Sequence, residues 1–225
     1  EFRKANDLIK QSEDRLAILE EIAKLEREGK FDVDPEKDPP TLPLMPGEAD
    51  YLNEKITSKA KTIIANTIGL GFLYEILRRN QLIIKEISGL ENLDKVKSGA
   101  MITCNHFNPF DVFAVECAFL LSKQKKKKLY KVIREGNYTN FPGLYGYLFR
   151  HGNTLPLSSN TKTMTEFLRA VDKILADDDF ILIYPEQSLW WNYKKPKPLK
   201  PLPLQKNHLT TVVFQKNHFD LFVHK

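Results

Sequence analysis

Cysteine is nearly missing from this chain, with only Cys104 and Cys117 among 225 residues. Without a CxxC pair there is no disulfide framework and no thiolate metal site, and both thiols read as buried groups of a reducing compartment. No HExxH and no other metal-ligand spacing occurs, so no metal and no bound cofactor are expected. No Gly-x-Ser-x-Gly elbow surrounds Ser188, which argues against a nucleophilic serine there. An uncharged run from Thr62 to Tyr74 covers only thirteen residues, too short to span a bilayer comfortably. The Lys125–Lys128 run lacks interleaved aromatics, which weakens a nucleic-acid reading and leaves a solvated loop or an anionic surface as its partner. There is no evident signal peptide, and the chain opens Glu-Phe-Arg without methionine, the pattern of a fragment or trimmed product.

What is present is an ordinary globular composition, 42% hydrophobic and 28% charged. The chain is long enough to bury roughly 70% of its unfolded surface around one core. Its net charge of +5, from 34 basic and 29 acidic residues, suits a phosphate-bearing substrate, an acidic membrane surface, or simply a well-solvated exterior.

Residues 7–28 place Leu8, Leu16, Leu19, Ile22 and Leu25 among charges, which predicts an amphipathic helix ending near Gly29. Five prolines in 32–47 predict an extended linker, so 1–47 forms a helix-plus-linker unit. A second helical unit covers 48–79, with the helix over 49–79. Its apolar middle and flanking Lys59, Lys61, Arg78 and Arg79 fit either a membrane-interface helix or a core helix. From residue 80 to 225 strands and helices alternate. Strands are predicted at Gln81–Ile87, Gly99–Cys104, Leu129–Ile133, Thr154–Leu157 and Phe180–Tyr184, with helices over 112–121 and 161–176. The expected class is α/β, a mixed and largely parallel sheet flanked by helices, preceded by a helical membrane-facing segment.

The chemistry gathers after the Gly99–Cys104 strand, where the chain reads Asn105-His106-Phe-Asn108-Pro109-Phe-Asp111. A histidine beside a carboxylate can take a proton from an alcohol near neutral pH. The same residues also make a helix start, with Asn108 as cap, Pro109 at the first position and Asp111 at the third. The two readings are compatible, since a capped first turn holds Asp111 where its side chain reaches back. After the buried Phe180–Tyr184 strand comes Pro185-Glu186-Gln187-Ser188. If the two strands are parallel, His106 and Glu186 emerge on the same carboxyl rim, where open α/β sheets bind ligands.

These residues carry a resemblance. Asn105-His106-x4-Asp111 resembles the first motif of the glycerol-phosphate and lysophosphatidic acid acyltransferase family, and Tyr184-Pro185-Glu186-Gln187-Ser188 is similar to its Phe-Pro-Glu-Gly-Thr-Arg motif, over roughly 81–201. The resemblance implies acyl transfer from an acyl carrier protein or acyl-CoA thioester to the hydroxyl of a lysophospholipid such as 1-acylglycerol-3-phosphate. It implies His106 as base, Asp111 orienting it, α-helical amides after position 109 near the oxyanion, no cofactor, and a place at the cytoplasmic face of the cell membrane. Glu186 and Ser188 fall on the substrate side of the motif.

The motif arginines are replaced by Leu189 and by Ser158 or Ser159, so the phosphate must meet other cations: Lys194, Lys195, Lys197, Arg134 or Arg150. Trp190, Trp191 and Tyr193 beside Lys194 and Lys195 suit a membrane interface or a core-edge cluster equally. Residues 202–225 contain no glycine and none of the family's continuing helix and Val-Pro strand, although a strand fits 210–214. His208, His218 and His224 have no ligand-like framework. A truncated or frame-shifted end is expected, and with it a second reading: a non-catalytic lipid-binding relic. Hydrolysis by the same His–Asp pair is a third.

Overall fold

A computed structural model describes residues 2–31, 33–36, 40–106, 108, 110–186, 188–190, 193, 195, 197, 211–215 and 220–224. The expectations for Pro109, Trp191, Lys194, His208, His218 and the His224 side chain fall outside what is described.

The first helix, α1 (Phe2–Glu28), stops at Gly29, whose φ of 67° is the left-handed conformation that closes a helix end. After the proline-rich segment comes α2 (Ile56–Arg78), then α3 (Leu90–Asp94) and the central strand β1 (Ala100–Cys104). The order continues α4 (Asp111–Leu121), β2 (Leu129–Ile133), α5 (Glu135–Thr139), α6 (Gly143–His151), β3 (Thr154–Pro156), α7 (Thr161–Ala176) and β4 (Phe180–Ile183). Two further strands follow, β5 (Thr211–Gln215) and β6 (Asp220–His224).

The sheet runs β3-β2-β4-β1-β5-β6, parallel throughout except for the antiparallel edge strand β6. The mixed, largely parallel α/β class is therefore present, with helices on both faces. Period-2 alternation sorts the core. Ala100, Ile102, Cys104, Phe180 and Leu182 face α4 with Val115, Ala118 and Phe119. Met101, Ile181 and Ile183 face α7 with Phe167, Val171 and Ile174. Asn160 caps α7 by accepting from the Lys162 and Thr163 amides. Gly99 turns into β1 against α7, where a Cβ would lie 2.2 Å from the Leu175 carbonyl oxygen.

Three expectations change. Residues 81–89 form no helix or strand, because both edges of β1 are already taken by β4 and β5. Residues 40–47 of the expected linker are bound to the domain, not free: Leu44 is buried, its N–H donates to Glu135 Oε1 at 2.6 Å, and its carbonyl accepts from Ser158 and Thr163. Tyr51 continues this strap into the α7-side core, donating to the Pro156 carbonyl at 3.0 Å. The tail supplies β5, so β1 has a parallel neighbour on each side and the sheet does not end at β1. No helix among the described residues is long and apolar enough to cross a membrane.

Candidate active site

All five parallel strands end on one rim, and three of them deliver expected residues there: His106 after β1, Arg134 after β2 and Glu186 after β4. In the β1–β4 register Ala100 pairs with Phe180 and Thr103 with Ile183, an offset of eighty. Carried past the strand ends, the same offset sets His106 opposite Glu186, and the His106 amide donates to Glu186 Oε2 at 3.3 Å. Two residues far apart in sequence are thus joined by the regularity of a parallel ladder.

His106 Nδ1 lies 3.3 Å from Asp111 Oδ2. The Asp111 side chain is 1% exposed and the His106 side chain 25%, so the acid is sealed behind a base that solvent reaches. With Nδ1 occupied, Nε2 is the nitrogen left for a substrate proton. The helix-start reading holds at the same time. Asp111 Oδ2 also accepts from the Asn108 amide at 2.9 Å, and Asn108 Oδ1 accepts from the Phe110 amide at 2.9 Å. This reciprocal turn fixes the carboxylate before it meets the imidazole. It also engages the amides of Phe110, Asp111 and Phe113, so these three are not spare donors for an oxyanion.

Tyr184 continues the alternation of Phe180 and Leu182 toward the α4 side. Its ring stacks on the His106 imidazole, with centroids 4.2 Å apart and planes 25° from parallel. Burial, with Cys104 and Asp111 nearby, pushes its hydroxyl well above the usual range, so it stays neutral. Sequence reasoning did not single out this ring; its strand parity was the available signal.

The remaining expected residues divide. Glu186 and Ser188 are buried, and both bind Lys197. Arg134 pairs with Asp34, Arg150 donates to the Tyr138 and Phe141 carbonyls, and Lys195 pairs with Glu26. Ser158 and Ser159, at the arginine position of the second motif, hold the Glu135 carboxylate instead. Burial raises the Glu135 pKa, but donors from Leu44, Ser158 and Ser159 outweigh it and leave the group below its usual value. Trp190 is fully buried, stacked on Phe31 and packed on Ile22 and Leu25 of α1, which makes it core and not a membrane anchor. Lys125–Lys128 precede β2 on the opposite rim. Among the described residues no cluster of His, Cys, Asp and Glu has the makings of a metal site.

A parallel α/β sheet with an accessible histidine and its buried acid at one carboxyl rim is equipped for general-base chemistry on a hydroxyl. The chain matches the Acyltransferase family model over residues 85–215, from just before α3 to the end of β5. It belongs to the acyltransferase family, and the family supports a transferase activity. No curated protein and no solved structure matches the chain.

Proposed function

We propose that this acyltransferase moves a fatty acyl chain from an acyl carrier protein or acyl-CoA thioester to the hydroxyl of a lysophospholipid, with 1-acylglycerol-3-phosphate as the model acceptor. The observation that carries the reading is the His106–Asp111 pair, with its acid enclosed and its base open on the rim. His106 Nε2 takes the hydroxyl proton while the oxygen attacks the thioester carbonyl. The tetrahedral intermediate then expels the thiolate, which recovers that proton from the imidazolium. Asp111 keeps the ring oriented and supports its charge. The positive end of the α4 dipole lies beside this step and favours the developing oxyanion.

The acceptor and the acyl chain reach this rim from a membrane surface. Ile63, Ile64, Leu70 and Tyr74 form an exposed apolar stripe on α2, and Phe72 of the same helix meets Phe113 of α4, centroids 5.4 Å apart. Lys55, Lys59, Arg78 and Arg79 flank the stripe. Such a helix suits the headgroup boundary at the cytoplasmic face of the cell membrane.

One observation keeps the non-catalytic lipid-binding reading in view: Arg134, Arg150 and Lys195 already have protein partners. A single assay separates the readings. Labelled acyl thioester and a panel of lysolipids are expected to give diacyl product, and His106→Ala to lower its rate by roughly 10²–10⁴. Vesicle binding with no product would favour the non-catalytic reading, and free fatty acid without diacyl lipid would favour hydrolysis.

A further inference from the structure

Lys197 lies in a run of lysines and prolines, Lys-Lys-Pro-Lys-Pro, which reads as solvent-exposed chain. Its side chain is nevertheless 1% exposed. Nζ donates to the Ser188 carbonyl at 2.6 Å and to Ser188 Oγ at 2.7 Å, and lies 3.5 Å from Glu186 Oε2. It also sits over the Trp190 ring, 5.2 Å from its centroid, and the Lys197 amide reaches Glu186 Oε1 at 3.4 Å. An ammonium enclosed in this way does not meet a lipid phosphate. Nor does stability call for it, since a buried ion pair is commonly replaced by apolar side chains without loss.

What the pair does provide is a fixed acceptor directly behind the base. Glu186 Oε2 is the atom to which the His106 amide donates. A buried carboxylate that loses its counter-charge is driven to turn toward water, away from the His106 amide, whereas an uncharged amide in its place is not. We propose that Lys197 is a positioning residue: by pairing with the Glu186 carboxyl group it holds that side chain under the His106 amide, and so fixes the ring that Asp111 and Tyr184 hold from two other sides. The inference rests on the acyltransferase reading for its kinetic consequence, but its geometric core does not.

The test compares Lys197→Met, Glu186→Gln/Lys197→Met and Glu186→Leu/Lys197→Met with the unmodified chain. Lys197→Met is expected to lower kcat by about 10- to 100-fold, with KM for thioester and lysolipid within about twofold, because misplacing a reacting group costs rate. Glu186→Gln/Lys197→Met removes both charges yet keeps an acceptor for the His106 amide, and is expected to restore kcat to within a few-fold. Hydrogen exchange at the His106 amide should be slow in the unmodified chain and in this double variant, and fast in Lys197→Met. Full kcat in a folded Lys197→Met, or a raised acceptor KM at unchanged kcat, would overturn the proposal. If Lys197→Met does not fold, the two double variants decide the matter, since they differ in the acceptor offered to His106, and equal kcat would defeat it. If the unmodified chain transfers no acyl group, the functional reading fails alone. The exchange comparison of the same variants still stands, and equal His106 exchange throughout would defeat the positioning role.

Discussion

Three contacts hold the His106 residue: Asp111 on Nδ1, Tyr184 on the ring face and Glu186 on the main-chain amide. Tyr184 is the least economical of them. Its hydroxyl is buried and has no hydrogen-bond partner among the described residues, a state that costs about 1–3 kcal/mol. Tyr184→Phe keeps the stacking ring and drops the orphan oxygen. It should leave turnover near that of the unmodified chain and raise the melting temperature. Tyr184→Leu removes the plate behind the imidazole and should lower kcat by about tenfold or more, read in the same transfer assay. At this scale the sequence was informative where spacing alone sets geometry: His106 and Asp111 share one short turn. It offered Lys197 only as a cation for phosphate, because nothing in a lysine–proline run announces burial, and it was silent on Glu135, whose partners come from Leu44, Ser158 and Ser159.

Among the elements, α7 and β2 have the bounds expected of them, the first marked by a clear three-and-four apolar repeat and the second by a short β-branched and aromatic stretch bounded by charged residues. The short helices α5 and α6 had no such repeat to read. The 81–87 segment had a strand-like pattern, but a strand needs a free neighbour and the sheet offers it none at β1. The α2 helix poses the opposite problem. Thr62, Ala65, Leu73 and Ile76 are buried while Ile63, Ile64, Leu70 and Tyr74 are exposed, so it is both a packing helix and an apolar surface. The proposed membrane contact makes a direct prediction. Ile64→Asp with Leu70→Asp should weaken sedimentation with anionic vesicles by about tenfold or more, through lost apolar burial and added repulsion. The melting temperature should stay within a few degrees, because both side chains are already about half exposed.

Over the whole molecule, the segment before the family domain is not an appendage. Its strap is fastened by Glu135, which takes the Leu44 amide and the Ser158 and Ser159 hydroxyls at once. The folded-state pKa of Glu135 lies below its unfolded value, so the unfolded chain binds more protons as pH falls. This contribution is complete above the ordinary carboxylate range and is lost as the solution becomes more acid than that. Glu135→Gln should therefore cost about 1 kcal/mol at pH 7, after allowance for its partial exposure, with the difference shrinking below about pH 4. Denaturant melts at both pH values measure it. The proline content correctly excluded regular structure in this strap, but its docking depends on partners roughly ninety to one hundred and twenty residues away.

The strand order also has a temporal side. The central strand is made early, yet its two neighbours are β4 and β5, the second of which ends at Gln215. A ribosome delivers this chain from its amino end at about 5–20 residues per second. During that interval both flanks of Ala100–Cys104 stand unsatisfied, and the imidazole has no Glu186 to receive its amide. The growing polypeptide must therefore shelter this fully buried strand for several seconds before the chemistry can exist at all.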